Sequence, residues 1–478
     1  MNEIQVDSYF PKRYSILVAI MLGSIMGPID GSIVNVILPT ISETFKVDIA
    51  TIQWVPMIYL LTISSMLLFY GRLGDIIGYK KIYLSGLAGF VIVSGLCGFA
   101  PTIAWLIACR ALQGLAAGMM MAVSLAIITA TFPPIERGKT LGLNAISISA
   151  GLALGPSLGG FITSTLGWRY VFFINIPIGI AALFWGLQVI PEFKGRPGNV
   201  DILGALTAFI SLFSILIFVN RFQYHGLSYS AVVLLLVSII SGFVFYQLEN
   251  KIAQPMLNLN LFRNLTFSLA NVSALLNFMA QNVMVFLTPF YLQKVLHYPS
   301  NTVGLIMTAF PLVVILIAPF SGALSDYIGT TFLACLGTGI CALSLFLMSQ
   351  LTVSVPSVDI VWRLALFGLG TGIFQSPNNS AVMGSVPRHH LGVASGILAT
   401  MRNIGMVLGI AIGGAVLYSV VPPRLLQSST LYNGDALDFL TGLKYAYFVG
   451  GILAALAIVT TLIRSNGKNN QDIEYASD

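Results

Sequence analysis

The chain has 478 residues, 56% of them apolar and only 8% Asp, Glu, Lys or Arg, with a formal net charge of +6. A soluble domain carries about a quarter charged residues, and disorder needs low hydrophobicity with high charge. Four cysteines are too few for a secreted disulfide scaffold, which leaves an integral membrane protein.

A bilayer core of about 30 Å takes about 20 apolar residues at 1.5 Å each. Fourteen such stretches are predicted, near 14–38, 51–70, 80–99, 102–130, 139–163, 169–190, 202–220, 229–249, 267–291, 302–320, 331–350, 359–384, 390–418 and 441–463. The first follows Lys12 and Arg13 and is too long for a signal peptide. An even number of spans puts both termini on one side. With that side cytoplasmic, 14 Lys and Arg fall inside and 7 outside, while Arg110 and Arg402 lie within spans. This bias orients both termini to the cytoplasm. The positive charge is therefore a topology signal, and tracts for nucleic acid are absent.

In chain order, Asp30 in span 1 is the one carboxylate deep inside a span. An acid in lipid is costly and must face a cavity or a partner. Rise per residue places Asp30 about 24 Å from the inner boundary, Arg110 in span 4 about 12 Å below the outer one, and Arg402 in span 13 about 18 Å above the inner one. Asp30 and Arg110 can thus meet, either as a proton-binding site tuned by the Arg or as a permanent salt bridge. Asn35, further along span 1, and Asp30 itself are candidate substrate-cavity residues. The loop after span 2 carries Gly71, Asp75 and Gly78, a turn whose acid can cap a helix end of the opposite half and lock one conformation. In span 5, Gly151, Gly155 and Gly159 recur every fourth residue beside Pro156, a stripe for close helix approach at the interface between halves. Gln281 and Asn282 in span 9, Gln375 beside Pro377 in span 12, and Arg402 in span 13 are candidate cavity residues, with Tyr59 and Phe286 as aromatic lining. Arg402 can equally snorkel or contact a polar or anionic substrate group.

The first third recurs in the second half. Gly71-Arg-Leu-Gly-Asp75-Ile-Ile-Gly78 returns as Gly322-Ala-Leu-Ser-Asp326-Tyr-Ile-Gly329, where Asp326 is either a second conformational lock or a plain turn with a solvated acid, and Gly151, Gly155, Gly159 and Gly160 return as Gly405, Gly409, Gly413 and Gly414. The offset exceeds a six-span half by about the length of two helices. The predicted fold is all-α: an N-terminal six-helix bundle over 1–195, two inserted helices over 196–255, a C-terminal six-helix bundle over 256–465, and a disordered tail over 466–478. The two sixes are parallel repeats with a substrate site between them.

Several segments carry a family resemblance. The GRLGDIIGYKK loop (71–81) resembles the signature between spans 2 and 3 of major facilitator transporters, LIACRALQGLAAG (106–118) the span 4 signature, and GLALGPSLGG (151–160) the span 5 antiporter motif. PIDGSIVNVILP (28–39) and GWRYVFFINIPIG (167–179) are similar to the 14-helix drug:proton antiporter branch. The loop departs from the family at Ile76 and Tyr79, positions that are commonly basic there. The resemblance implies the major facilitator fold and supports Arg110 in proton coupling.

The function expected is secondary export of small amphiphilic or drug-like compounds by proton antiport and alternating access, in a cytoplasmic membrane. The proton is the coupling ion and no other cofactor is expected; no Walker or HExxH sequence is present. One acid against two Arg argues against dicationic substrates, so lipids, lysolipids or an anionic metabolite stand as alternatives. A membrane enzyme would need clustered acids or metal ligands, and a receptor would not need duplicated turns. One chain suffices for such a mechanism, with substrate and bilayer as its partners.

Overall fold

The computed structural model describes residues 12–193, 195, 202–225, 228–251, 259–387, 391–427 and 433–474. Among these every regular element is helical. Fourteen long helices follow one another: α1 Arg13–Phe45, α2 Trp54–Ile77, α3 Tyr79–Gly98, α4 Ile103–Thr131, α5 Pro134–Thr165, α6 Asn175–Val189, α7 Ile202–His225, α8 Tyr229–Lys251, α9 Leu265–Phe290, α10 Ser300–Ile328, α11 Thr330–Met348, α12 Ser357–Gly384, α13 Leu391–Val420 and α14 Asn433–Glu474. Thirteen spans among the described residues are long and apolar enough to cross a membrane; in α7 the apolar stretch is the shorter Leu203–Ile215.

Local chemistry sets the helix ends. Thr102 and Asn264 cap α4 and α9, accepting from the backbone N–H of Trp105 and Phe267. Pro133, Pro299 and Pro356 precede α5, α10 and α12 in extended conformation. The α2–α3 and α10–α11 corners each turn on one glycine with positive φ, Gly78 at 101° and Gly329 at 86°. Asp75 therefore lies on the last turn of α2, not in an open loop, and Gly71 is helical with nothing packed close against it. Asp326 falls on the last turn of α10, and its side chain lies outside the described residues. The segment expected to be disordered from 466 continues α14 to Glu474; with no proline to interrupt it, the backbone ladder runs on past the apolar stretch. Residues 475–478 lie outside the described residues.

Packing repeats between the two sixes. In the first, α1 packs on α5 and α6, and α4 on α2 and α3. In the second, α9 packs on α13 and α14, and α12 on α10 and α11. Shifting each helix number by eight converts one set into the other. The seam between the sixes follows the same rule: α5 packs on α10, and α13 on α2, with α1 against α9 between them. Of the inserted helices, α7 packs on α2 and α13, one from each half, and α8 packs on α7. Reciprocal hydrogen bonds join that pair: Ser211 Oγ donates to the Ser238 carbonyl and Ser238 Oγ to the Ser211 carbonyl, both 3.0 Å.

Candidate functional site

The described hydrogen bonds between the halves gather at one end of the bundle, the far end from where α1 begins. Gln293 donates through Nε2 to the Val36 carbonyl at 3.1 Å, Thr40 donates to Gln293 Oε1 at 3.2 Å, and Ser157 and Thr308 hydroxyls meet at 2.6 Å. Pro156 also lies on this seam, its carbonyl against Gly304.

The glycine stripes lie elsewhere than the sequence suggested. Gly151, Gly155 and Gly159 face α1: an added Cβ would lie 2.9 Å from the Ile25 carbonyl, 2.8 Å from Ser32 Cβ and 3.2 Å from the Ile33 carbonyl. Gly405 and Gly409 face α9, where a Cβ would lie 2.6 Å from the Leu275 carbonyl and 3.0 Å from Asn282 Cβ. Both stripes seal a helix pair inside their own half. The reason is the 100° turn per residue, which sends the next residue to a different neighbour. Gly160 meets Gly304 across the seam, a Cβ there lying 3.1 Å from its Cα, and Gly414 meets Gln53 of the other half.

The deep charged pair is closed. Pro28 removes one backbone donor from α1, and two residues later Asp30 points into the N-terminal six. Its Oδ2 accepts from Arg110 Nη1. Its Oδ1 accepts from Gln113 Nε2 at 3.1 Å and Asn175 Nδ2 at 3.0 Å. Arg110 donates through Nη1 to Gln113 Oε1 at 2.6 Å and through Nε to the Val55 carbonyl at 3.3 Å. Its guanidinium lies 4.0 Å from the centroid of Tyr59, a cation–π contact. Gln113 also donates to Ser94 at 2.8 Å. Asp30 and Arg110 are both 0% exposed. Five helices of the N-terminal six, α1 to α4 and α6, thus meet at one carboxylate–guanidinium pair. In low dielectric such a pair persists only with most of its donors and acceptors matched; here Arg110 Nη2 and Asn175 Oδ1 are buried without a partner. Gln113, Asn175 and Ser94 were not singled out in the sequence, although Gln113 and Asn175 fall inside segments that carried the resemblance.

The cavity candidates divide. Asn35, Gln281, Gln375 and Arg402 keep part of their surface accessible. Asp30, Tyr59, Asn282 and Phe286 do not line a cavity in this conformation. Asp30 and Tyr59 are enclosed with Arg110, Asn282 donates to the Phe278 carbonyl of its own helix at 3.1 Å, and Phe286 packs edge-on against Phe290. Large aromatic side chains gain most from full burial, so their presence in a span does not make them lining. Asp75 accepts from the Tyr79 hydroxyl at 2.6 Å, across the Gly78 corner, and not from a helix end of the other half. No group of three or more potential metal ligands occurs among the described residues.

The sequence description of the Major Facilitator Superfamily matches residues 20–410 and again 269–474. The chain belongs to the Major Facilitator Superfamily. It is 34% identical over 453 residues to the riboflavin transporter RibZ of Clostridioides difficile, covering 94% of this chain and 97% of that one. It is 33% identical over 405 residues to the multidrug resistance protein Stp of Mycobacterium tuberculosis, covering 84% and 75%. It is 29% identical over 461 residues to the methylenomycin A resistance protein of Bacillus subtilis, covering 95% of each. The two resistance proteins support the drug:proton antiporter branch. A bacterial homologue of the human lysosomal transporter Spinster, solved inward-facing and unoccupied, superposes with a TM-score of 0.68 at 15% identity, covering 96% of this chain and 98% of that one. The protein is a multi-pass membrane transporter of the major facilitator fold.

Proposed function

We propose that this transporter exports small amphiphilic compounds from the cytoplasm in exchange for protons, working as a single chain in the cytoplasmic membrane. The excess of Lys and Arg at the end where α1 begins makes that end cytoplasmic. The hydrogen-bonded far end is then the closed outer gate, and rocking of the two sixes about the seam alternates access.

The observation that carries the coupling is the deep carboxylate Asp30, bound by Arg110, Gln113 and Asn175 and joining helices of one half. Intramembrane acids are functional by default. Protonation of Asp30 removes its charge from Arg110 and loosens the contact between α1, α4 and α6, which favours the alternative packing of that half. Release to the cytoplasm restores the arrangement seen here. In this reading Asp75 and Asp326 mark corners that lock the opposite conformation, where Asp75 leaves Tyr79. Relatives named a multidrug resistance protein and a multidrug transporter support drug-like substrates.

The test is transport in proteoliposomes with and without a pH gradient. Asp30→Asn is expected to abolish gradient-driven accumulation while leaving substrate exchange measurable. Accumulation by that variant at the wild-type rate would refute coupling through Asp30. The riboflavin transporter relative favours a second reading, translocation of a planar heterocycle such as a flavin. Flux of riboflavin in the same vesicles, with its direction, decides between them.

A further inference from the structure

Among the described residues, most Arg and Lys buried within or near the ends of the spans have partners. Arg110 holds Asp30, Arg363 pairs with Asp359 at 2.8 Å, Arg464 donates to Asn378 Oδ1 at 3.2 Å, and Lys294 donates to the Leu426 carbonyl at 3.3 Å. Arg402 differs. Among the described residues it has neither a hydrogen bond nor an ion pair, and its Nε is buried without a partner. It lies about 16 Å along α13 from the near end, in the middle of the span. Because Asp30 is engaged in the other half, Arg402 is, among the described residues, a mid-span cation with no acid beside it.

Arg402 keeps part of its surface accessible on a stretch of α13 that is otherwise enclosed. No described side chain of α13 from Val393 to Tyr418 is exposed, unlike α8, where Leu236, Ile239, Ile240 and Phe243 are. The neighbours α2, α9, α14 and α7 enclose α13. At comparable or slightly greater depth lie other polar atoms with no partner: Ser24 Oγ on α1, Asn144 Oδ1 on α5 and Gln281 Oε1 on α9. These groups are neutral, so Arg402 is the one charged element among them. While water reaches it, hydration compensates the guanidinium. When the cavity closes and water leaves, the charge needs an anion, because an unpaired buried charge is far costlier than a paired one.

We propose that Arg402 binds an acidic group of the transported molecule, so that the substrates are amphiphiles with one carboxylate or a comparably acidic group. A planar guanidinium suits this role, presenting a fork of donors that matches a carboxylate. The proposal rests on the transporter reading and names the substrate class for the same cavity.

The test is equilibrium binding to the purified full chain in nanodiscs, without a gradient, read by quenching of the tryptophans. The probes are 1-pyrenebutyrate, 1-pyrenebutanamide and 1-pyrenebutylamine, which share one apolar body and differ in charge. Wild-type protein is expected to prefer the carboxylate over the amide and amine by about tenfold, the strength of one charge-assisted hydrogen bond. Arg402→Gln is expected to abolish the preference and Arg402→Lys to keep part of it. Equal binding of the three probes by the wild type, absence of carboxylate binding, or a preference unchanged in Arg402→Gln would overturn the assignment. The wild-type comparison stands if Arg402→Gln fails to fold. Binding needs no proton flux, so failure here is separate from failure of coupling, which the proteoliposome experiment reads.

Discussion

Gly160 of α5 and Gly304 of α10 meet backbone to backbone across the seam, each so placed that a Cβ on one would lie 3.1 Å from the Cα of the other. No side chain separates the two halves there, and the Ser157–Thr308 hydrogen bond lies beside it. Gly304→Leu should therefore prevent the far end from closing while each half stays intact. Overpacking costs about 1–3 kcal/mol, which is roughly a five- to 150-fold shift between two conformations. Distances between spin labels at Thr40 and Ser300 should lengthen, and transport should fall by a similar factor. Unchanged distances would show that the contact does not hold the gate.

Gly155→Leu should behave differently, because Gly155 faces Ser32 within one half. The expected outcome is loss of folding stability by about 1–3 kcal/mol from forcing α1 and α5 apart. Thermal unfolding in detergent should show a lowered midpoint. A stable variant with altered gating alone would return this glycine to the seam.

Gln113→Leu removes one donor from Asp30, one acceptor from Arg110 and the bond to Ser94 together. Leaving buried polar groups unmatched costs about 1–3 kcal/mol each. The variant should unfold at lower temperature than wild type, and Gln113→Glu should not rescue it, since a second acid would sit beside Asp30. Wild-type stability in Gln113→Leu would mean that water replaces the amide.

Tyr79→Phe removes the hydroxyl that Asp75 accepts from, at a half-buried corner. A single such bond is worth about 0.5–1.5 kcal/mol. Stability should change by no more than that. Transport should change further if Asp75 moves to another partner in the opposite conformation, and transport rates of Tyr79→Phe and Asp75→Asn measured side by side would reveal it.

The apolar runs, the duplicated Gly-Asp corners and the glycine stripes made the fold legible, because long periodic segments and repeats report directly on helix length and symmetry. Asp30 and Arg110 stood out because charge is scarce in the spans. Gln113 and Asn175 did not, since a neutral amide in an apolar helix gives no sign of whether it meets an acid, a backbone carbonyl or lipid. Facing was the other limit. Gly159 and Gly160 are adjacent in sequence and serve α1 and the seam respectively; a stripe shows that something approaches closely and does not say which helix.

The two inserted helices lie between two sixes whose contacts repeat with a shift of eight helix numbers. That shift is even. A chain that leaves the first six and crosses twice returns to the leaflet it left, so the second six enters with the polarity of the first. One extra crossing would have turned the second six upside down, pairing α5 and α13 with the wrong ends of their partners. An accretion at this joint is therefore tolerable only as a hairpin, and the reciprocal Ser211–Ser238 bonds bind its two arms into a unit that is gained or lost whole.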